Sequence, residues 1–177
     1  MKYYLDTEFI EYPNTIELIS IGIKCENGRT FYAEASDFNI NKANNWILKN
    51  VIAKLKWYGK EIIPFQSTNN SDFEYTVYGP KSKITEMLLT FIGDDIPEFY
   101  GYYADYDWVV FCWLFGAMID LPKDWPMYCK DLKQMLDELK LESIPQPVNE
   151  HNALSDAIWN ESLHKYIIGR SNARLPR

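Results

Sequence analysis

Four carboxylates and one imidazole stand in three short strings of this chain, far apart in sequence. Asp6 and Glu8 lie in YYLDTEF, Asp107 in YADYDW, and His151 and Asp156 in HNALSD. Carboxylate oxygens are the donors that hard divalent cations such as Mg²⁺ and Mn²⁺ favour. Two such cations can activate a water against a phosphodiester, and an imidazole is the side chain suited to take that water's proton near neutral pH. The inventory points to metal-dependent phosphodiester hydrolysis.

The spacing within each string says what must position it. Asp6 and Glu8 are two apart on an expected strand, so both point to one face. Held together they repel, and a divalent cation removes that penalty. A pair of surface acids at a strand end is the bland alternative, but the apolar KYYL before them argues for a core strand. Asp107 falls where an aromatic strand, FYGYYA, passes into the helix DWVVFCWLF. Asp105 is its rival. One Asp is expected at a helix start as the N-cap, and the reading gives the cap to Asp105 and the site to Asp107, which precedes the bulky apolar run. His151 and Asp156 are five apart, a rotation of about 140° on a helix. They converge only if His151 lies outside the helix, with Asn152 as N-cap and Asp156 in the first turn. The second of the two histidines, His164, falls inside that last helix and is expected to be packed or on the surface.

The elements that must carry these residues follow from periodicity. KYYLD is an apolar strand expected to end at the acidic pair. TIELISIGIKCE is a second strand, turned at Asn27–Gly28 into a third, RTFYAEA, so the chain opens with an antiparallel meander. NKANNWILKNVIAKL carries Trp46, Ile47, Val51 and Leu55 at helical spacing. Residues 57–79 show no clear period and are expected to be an inserted loop or hairpin. KSKITEMLLTFI is a helix feeding PEFYGYYA, WVVFCWLFGAMI reads as buried helix, KDLKQMLDELK is another, and the last helix runs from about Asn152 to Ile168. The expectation is one α/β domain over residues 1–177, a mixed sheet with the antiparallel meander first and parallel strands after it, flanked by helices.

Bulk properties narrow the classes. Hydrophobic residues make up 47% of 177, enough for one packed domain. The aromatic share is 16%, with 13 Tyr and 6 Trp, so some rings are candidates for stacking on a ligand. The net charge of −7, from 18 basic and 25 acidic residues, argues against a broad nucleic-acid surface, which needs cations to release counterions. Any nucleic-acid footprint is therefore expected to be short. The basic clusters Lys54, Lys56 and Lys60, Lys81 and Lys83, and Arg170, Arg174 and Arg177 read as solvated faces. Cys25, Cys112 and Cys129 have no metal-ligand spacing and suggest a reducing compartment. With no apolar leader and no run long enough for a bilayer, a cytoplasmic protein without membrane contact is expected; a homo-oligomer stays open.

In order, DTEF, YADYDW and HNALSD resemble the three motifs of the DEDDh family of 3′–5′ exonucleases, which has a ribonuclease-H-like fold. The resemblance spans nearly the whole chain. The opening YYLDTEFIEYPNTIELISIGI is most similar to the small bacterial and phage exoribonucleases of that group, of the polyadenylate-specific 3′-exoribonuclease type. A tyrosine four before the last Asp would mark the sister type, and Asn152 stands there. The resemblance implies two divalent cations, Mg²⁺ or Mn²⁺, on Asp6, Glu8, Asp107 and Asp156, with Asp6 bridging and His151 as general base. It implies RNA cleaved from its 3′ end to nucleoside 5′-monophosphates. Thr7, Phe9 and Tyr103 are the expected substrate contacts; Phe9 and Tyr103 depart from the common pattern, and core packing is as good a reading of Phe9. A 3′–5′ exodeoxyribonuclease, a non-catalytic nucleic-acid-binding module and a structural protein are the alternatives.

Overall fold

Alternating apolar positions over the first 35 residues produce the expected meander: β1 (Lys2–Tyr12), β2 (Thr15–Cys25) and β3 (Thr30–Ala35). The computed structural model of the protein describes residues 1–60, 68–71 and 73–173. Part of the expected insertion, 61–67 and 72, and Arg174 and Arg177 of the C-terminal basic cluster lie outside the described residues. β1 does not stop at the acidic pair. Asn14 adopts φ 65° and closes a hairpin in which Tyr12 faces Thr15, so the strand runs on beyond the acids.

The remaining elements are β4 (Thr68–Ser71), β5 (Glu74–Gly79), β6 (Glu98–Gly101) and β7 (Lys130–Asp131), with helices α1 (Asn45–Asn50), α2 (Lys81–Ile92), α3 (Asp105–Trp113), α4 (Leu132–Leu139) and α5 (Ala153–Asn172). Among the described residues the seven strands form one sheet in the order β4-β5-β3-β2-β1-β6-β7. β1, β2 and β3 pair antiparallel; β5 joins β3 in parallel, and β6 and β7 extend the sheet in parallel beyond β1. A mixed sheet, antiparallel first and flanked by helices, is consistent with the ribonuclease-H-like architecture. The region expected as an insertion supplies β4 and β5, and β5 lies within the sheet.

Two expected helices are shorter than their periodicity. The first is broken into α1 and two flanking 3₁₀ turns, Ile40–Lys42 and Ile52–Lys54. Asn39 and Asn44 each take a backbone N–H into their own side chain, which competes with continuous helix. The run from Trp108 to Ile119 leaves helix after Trp113, turning at Gly116 with φ 121°, a conformation that favours glycine. No helix among the described residues is long and apolar enough to cross a membrane.

The sheet buries both faces. On one, Tyr3, Leu5, Ile21, Ile23 and Phe31 share a core with residues of α2 and α3, including Leu88 and Phe111. On the other, Tyr4 and Tyr100 pack with Leu132 and Leu136 of α4 and with Trp159, Leu163 and Ile167 of α5. Side chains alternate along a strand, so Asp6 and Glu8 share the face of Tyr4, beneath α5.

Candidate active site

β1 delivers the first two acids. The register with β2 slips by one residue just after Glu8, a bulge of the kind that bends a strand beside a functional site. α5 delivers the third. Asn152 is its N-cap, accepting the N–H of Ser155 at 3.1 Å, and its own N–H donates to Asp156 Oδ2 at 3.2 Å. Asp156 stands in the first turn, where the helix dipole favours a negative charge. One carboxylate oxygen from each of Asp6, Glu8 and Asp156 lies within 4.8 Å of the others. Three hard oxygen donors at this separation fit a divalent cation.

α5 reaches that position because β2 offers no side chain at Gly22. A Cβ there would lie 2.3 Å from the backbone of Ala153 and Leu154. Only glycine lets the start of the helix rest on the strand.

The fourth acid arrives from α3. Asp107 is 8% exposed, and its Oδ1 accepts the backbone N–H of Thr7 at 2.8 Å and the Thr7 hydroxyl at 2.6 Å. β6 accompanies β1 only as far as Tyr4. Asp107 thus satisfies a strand N–H beyond the end of β6. Asp105 is exposed, in the first turn of α3. It is not the cap expected of it: Ala104 is the N-cap residue, and its N–H donates to Asp131 Oδ2 at 2.7 Å. Asp131, itself the N-cap of α4, ties the start of α3 to the next helix, and α3 has no side-chain cap bond of its own.

His151 sits just outside α5, as the spacing required, in a left-handed conformation with φ 62°. Such a conformation costs about 1–3 kcal/mol and persists where surroundings impose it. Here the Trp46 ring meets the imidazole edge-on at 4.8 Å, and Lys54 Nζ donates to the Glu150 carbonyl at 2.5 Å. Tyr103 is also left-handed, with φ 55°, and is 64% exposed. Phe9 meets Tyr106 edge-on at 6.0 Å.

Asp6, Glu8, Asp107, His151 and Asp156 border one cavity of about 420 Å³, together with Thr7, Phe9 and Tyr103. The structure adds Trp46, Tyr102, Gln146, Glu150, Trp159 and Asn160 to its wall. Only the high aromatic content hinted at the rings among these; Trp46, half exposed beside His151, is such a ring. His164 does not line it; on α5 its ring stacks on Tyr100 and its Nδ1 lies 2.9 Å from Tyr4 Oη.

Crowded, buried acids resist ionisation. Burial first, then Asp107, Glu8 and Asp156, hold the Asp6 carboxyl well above its usual range. Burial, then Asp156 and Asp107, push Glu8 to about 8, with Lys54 opposing. Burial raises Asp107 to about 6 against the bonds from Thr7, and raises Asp156 against the N–H groups of Asn152 and His151. Each group binds its proton more tightly folded than unfolded, where carboxyls titrate near 4 (roughly). Their protons therefore support the fold at low pH, and that support fades as pH climbs from about 4 toward about 8. Metal-free protein is expected to melt at progressively lower temperature across this window, and Mg²⁺ or Mn²⁺ to raise the melting temperature more at pH 8 than at pH 5.5. Melting curves in chelator and in metal check this; a metal increment independent of pH would contradict it.

Residues 1–168 match the family model described as the 3′-5′ exoribonuclease Rv2179c-like domain. The chain is 33% identical over 158 residues to the 3′-5′ exoribonuclease Rv2179c of Mycobacterium tuberculosis strain H37Rv, covering 89% of this chain and 87% of that protein. It has the same identity and coverage with 3′-5′ exoribonuclease MT2234.1 of strain CDC 1551. With the match running over almost all of its length, the chain belongs to the Rv2179c-like 3′-5′ exoribonuclease domain family.

Proposed function

We propose that the protein is a metal-dependent 3′–5′ exoribonuclease of the DEDDh type, releasing nucleoside 5′-monophosphates from RNA 3′ ends. The observation that carries the reading is the gathering of Asp6, Glu8 and Asp156, from opposite ends of the chain, within 4.8 Å. Asp6, Glu8 and Asp156 would hold one Mg²⁺ or Mn²⁺, and Asp6 with Asp107 a second. Such cations supply Lewis acidity to the phosphate and acidify water. Thr7 fixes the Asp107 carboxylate through Oδ1, leaving Oδ2 the free oxygen of that pair of contacts. His151, outside the helix and held by Trp46, takes the proton of the attacking water. Phe9 and Tyr103 flank the cavity where the terminal base and sugar enter, and a ring there can stack on any base. The acidic surface restricts binding to the few nucleotides nearest the metals.

The test offers single-stranded RNA, RNA duplex with a 3′ overhang and matched DNA to the protein with Mg²⁺ or Mn²⁺. Mononucleotides from the RNA 3′ ends are expected, with the His151→Ala variant losing rate by roughly 10²-fold or more while still binding Mn²⁺. Preference for DNA would overturn the substrate class. Binding of RNA without turnover would overturn the enzyme.

A further inference from the structure

Asn160 lies one turn beyond Asp156 on α5 and is 1% exposed. Its Nδ2 donates to the carbonyl of Leu5, the residue before Asp6, at 2.9 Å. The amide thus bridges the helix and the strand that between them carry all three clustered acids. Its Oδ1 is buried and has no hydrogen-bond partner, although Asn160 borders the same cavity as the acids. Turning the amide over would set two acceptors, Oδ1 and the Leu5 carbonyl, against each other. The Leu5 bond therefore fixes which edge is left unpaired.

A buried acceptor without a donor costs about 1–3 kcal/mol and asks for a partner. Among the described residues the other two buried unpartnered atoms, Glu17 Oε2 and Trp108 Nε1, belong to residues that do not line the cavity. The cavity wall holds the clustered carboxyls together with Tyr102, Tyr103, Gln146 and Trp159, and none of them donates to Oδ1. A water molecule can donate, and Mg²⁺ bound by few protein ligands keeps several waters. We propose that Asn160 is a positioning residue of the cation site, its Oδ1 accepting a hydrogen bond from a hydration water of the cation held by Asp6, Glu8 and Asp156. The inference rests on the metal site proposed above. It adds a neutral amide that orients what the acids bind, as partners behind metal ligands do elsewhere.

Calorimetric titration with Mn²⁺, without substrate, separates this role from simple bracing. Asn160→Leu keeps the volume and loses both amide contacts; its Mn²⁺ affinity is expected to fall roughly 10-fold or more. Asn160→Asp keeps an oxygen at the Oδ1 position but sets another against the Leu5 carbonyl. Its metal-free melting temperature is expected to drop, while its Mn²⁺ affinity stays at or above that of the wild type. If Asn160→Leu does not fold, Asn160→Ala takes its place in the comparison. The inference is overturned if Asn160→Asp loses as much affinity as the apolar variant, in parallel with its stability, or if the apolar variant binds like the wild type. Wild-type protein that takes up no Mn²⁺ would instead overturn the metal site itself.

Discussion

Asp6→Ala protein is expected to release mononucleotides from RNA at least roughly 10³-fold more slowly than the wild type, a loss of the size seen when a central catalytic group is removed. The reason lies in its neighbours. Asp107, Glu8 and Asp156 all raise the Asp6 carboxyl, so this side chain feels every other acid of the site. In the proposed site it is the acid that both cations would share. The same crowding gives the variant an unusual stability. Removing a half-buried, repelled carboxylate relieves the cluster, so metal-free Asp6→Ala is expected to melt at or above the wild-type temperature at pH 8. Loss of function without loss of fold is the signature of a site kept at a cost in stability. Asp156→Ala shares the kinetic loss, though it also gives up the acceptor of the Asn152 N–H. Rates within a factor of ten of the wild type in either variant would show that the acids are not the reacting centre.

Gly22→Ala is expected to cost the site without touching any of its residues. The new Cβ would stand 2.3 Å from the main chain of Ala153 and Leu154, and backbone cannot yield as the end of a long side chain can. The N-terminus of α5 must move off β2, carrying Asp156 and the His151 segment away from Asp6 and Glu8. Overpacking of this kind costs about 1–3 kcal/mol, a drop on the order of 3–10 °C in a chain of this size. Mn²⁺ affinity should fall with it. A variant that melts lower yet binds Mn²⁺ as tightly as the wild type would show that the acids adjust independently of the helix.

How much of this was legible in the amino-acid sequence depends on how local the cause is. Period-2 alternation paired Asp6 with Glu8, and helix geometry put His151 outside α5 with Asn152 as its cap; both arrangements are present. α2 has the expected limits because Pro80 precedes it and Gly93 follows it. The misjudged places were those decided by distant residues. Asp105 looked like a cap, but Asp131, far along the chain, took the open N–H of Ala104. β1 looked finished at the acids because its continuation depends on β2. Glu34 read as an ordinary strand residue. It is fully buried and binds the N–H groups of Lys56, Trp57 and Tyr58, which holds the segment after α1 against the sheet. Asn160 and Gly22 belong to the same class, since their meaning comes from what packs on them.

The support of acids by β1 and α5 has a consequence for insertions and deletions. One residue added to β1 before Asp6 would turn both its acids to the opposite face. One added near the start of α5 would swing Asp156 by about 100°. Neither element tolerates a change of length. The stretch between α4 and α5 is different, for residues 141–148 lie in no helix or strand and join elements whose ends are fixed by their own caps, the αL residue Lys140 and Asn152. The closure cost of a longer connection grows only slowly. Relatives of different length can therefore keep one cluster of acids while differing in the loop that brings Gln146 to the cavity wall.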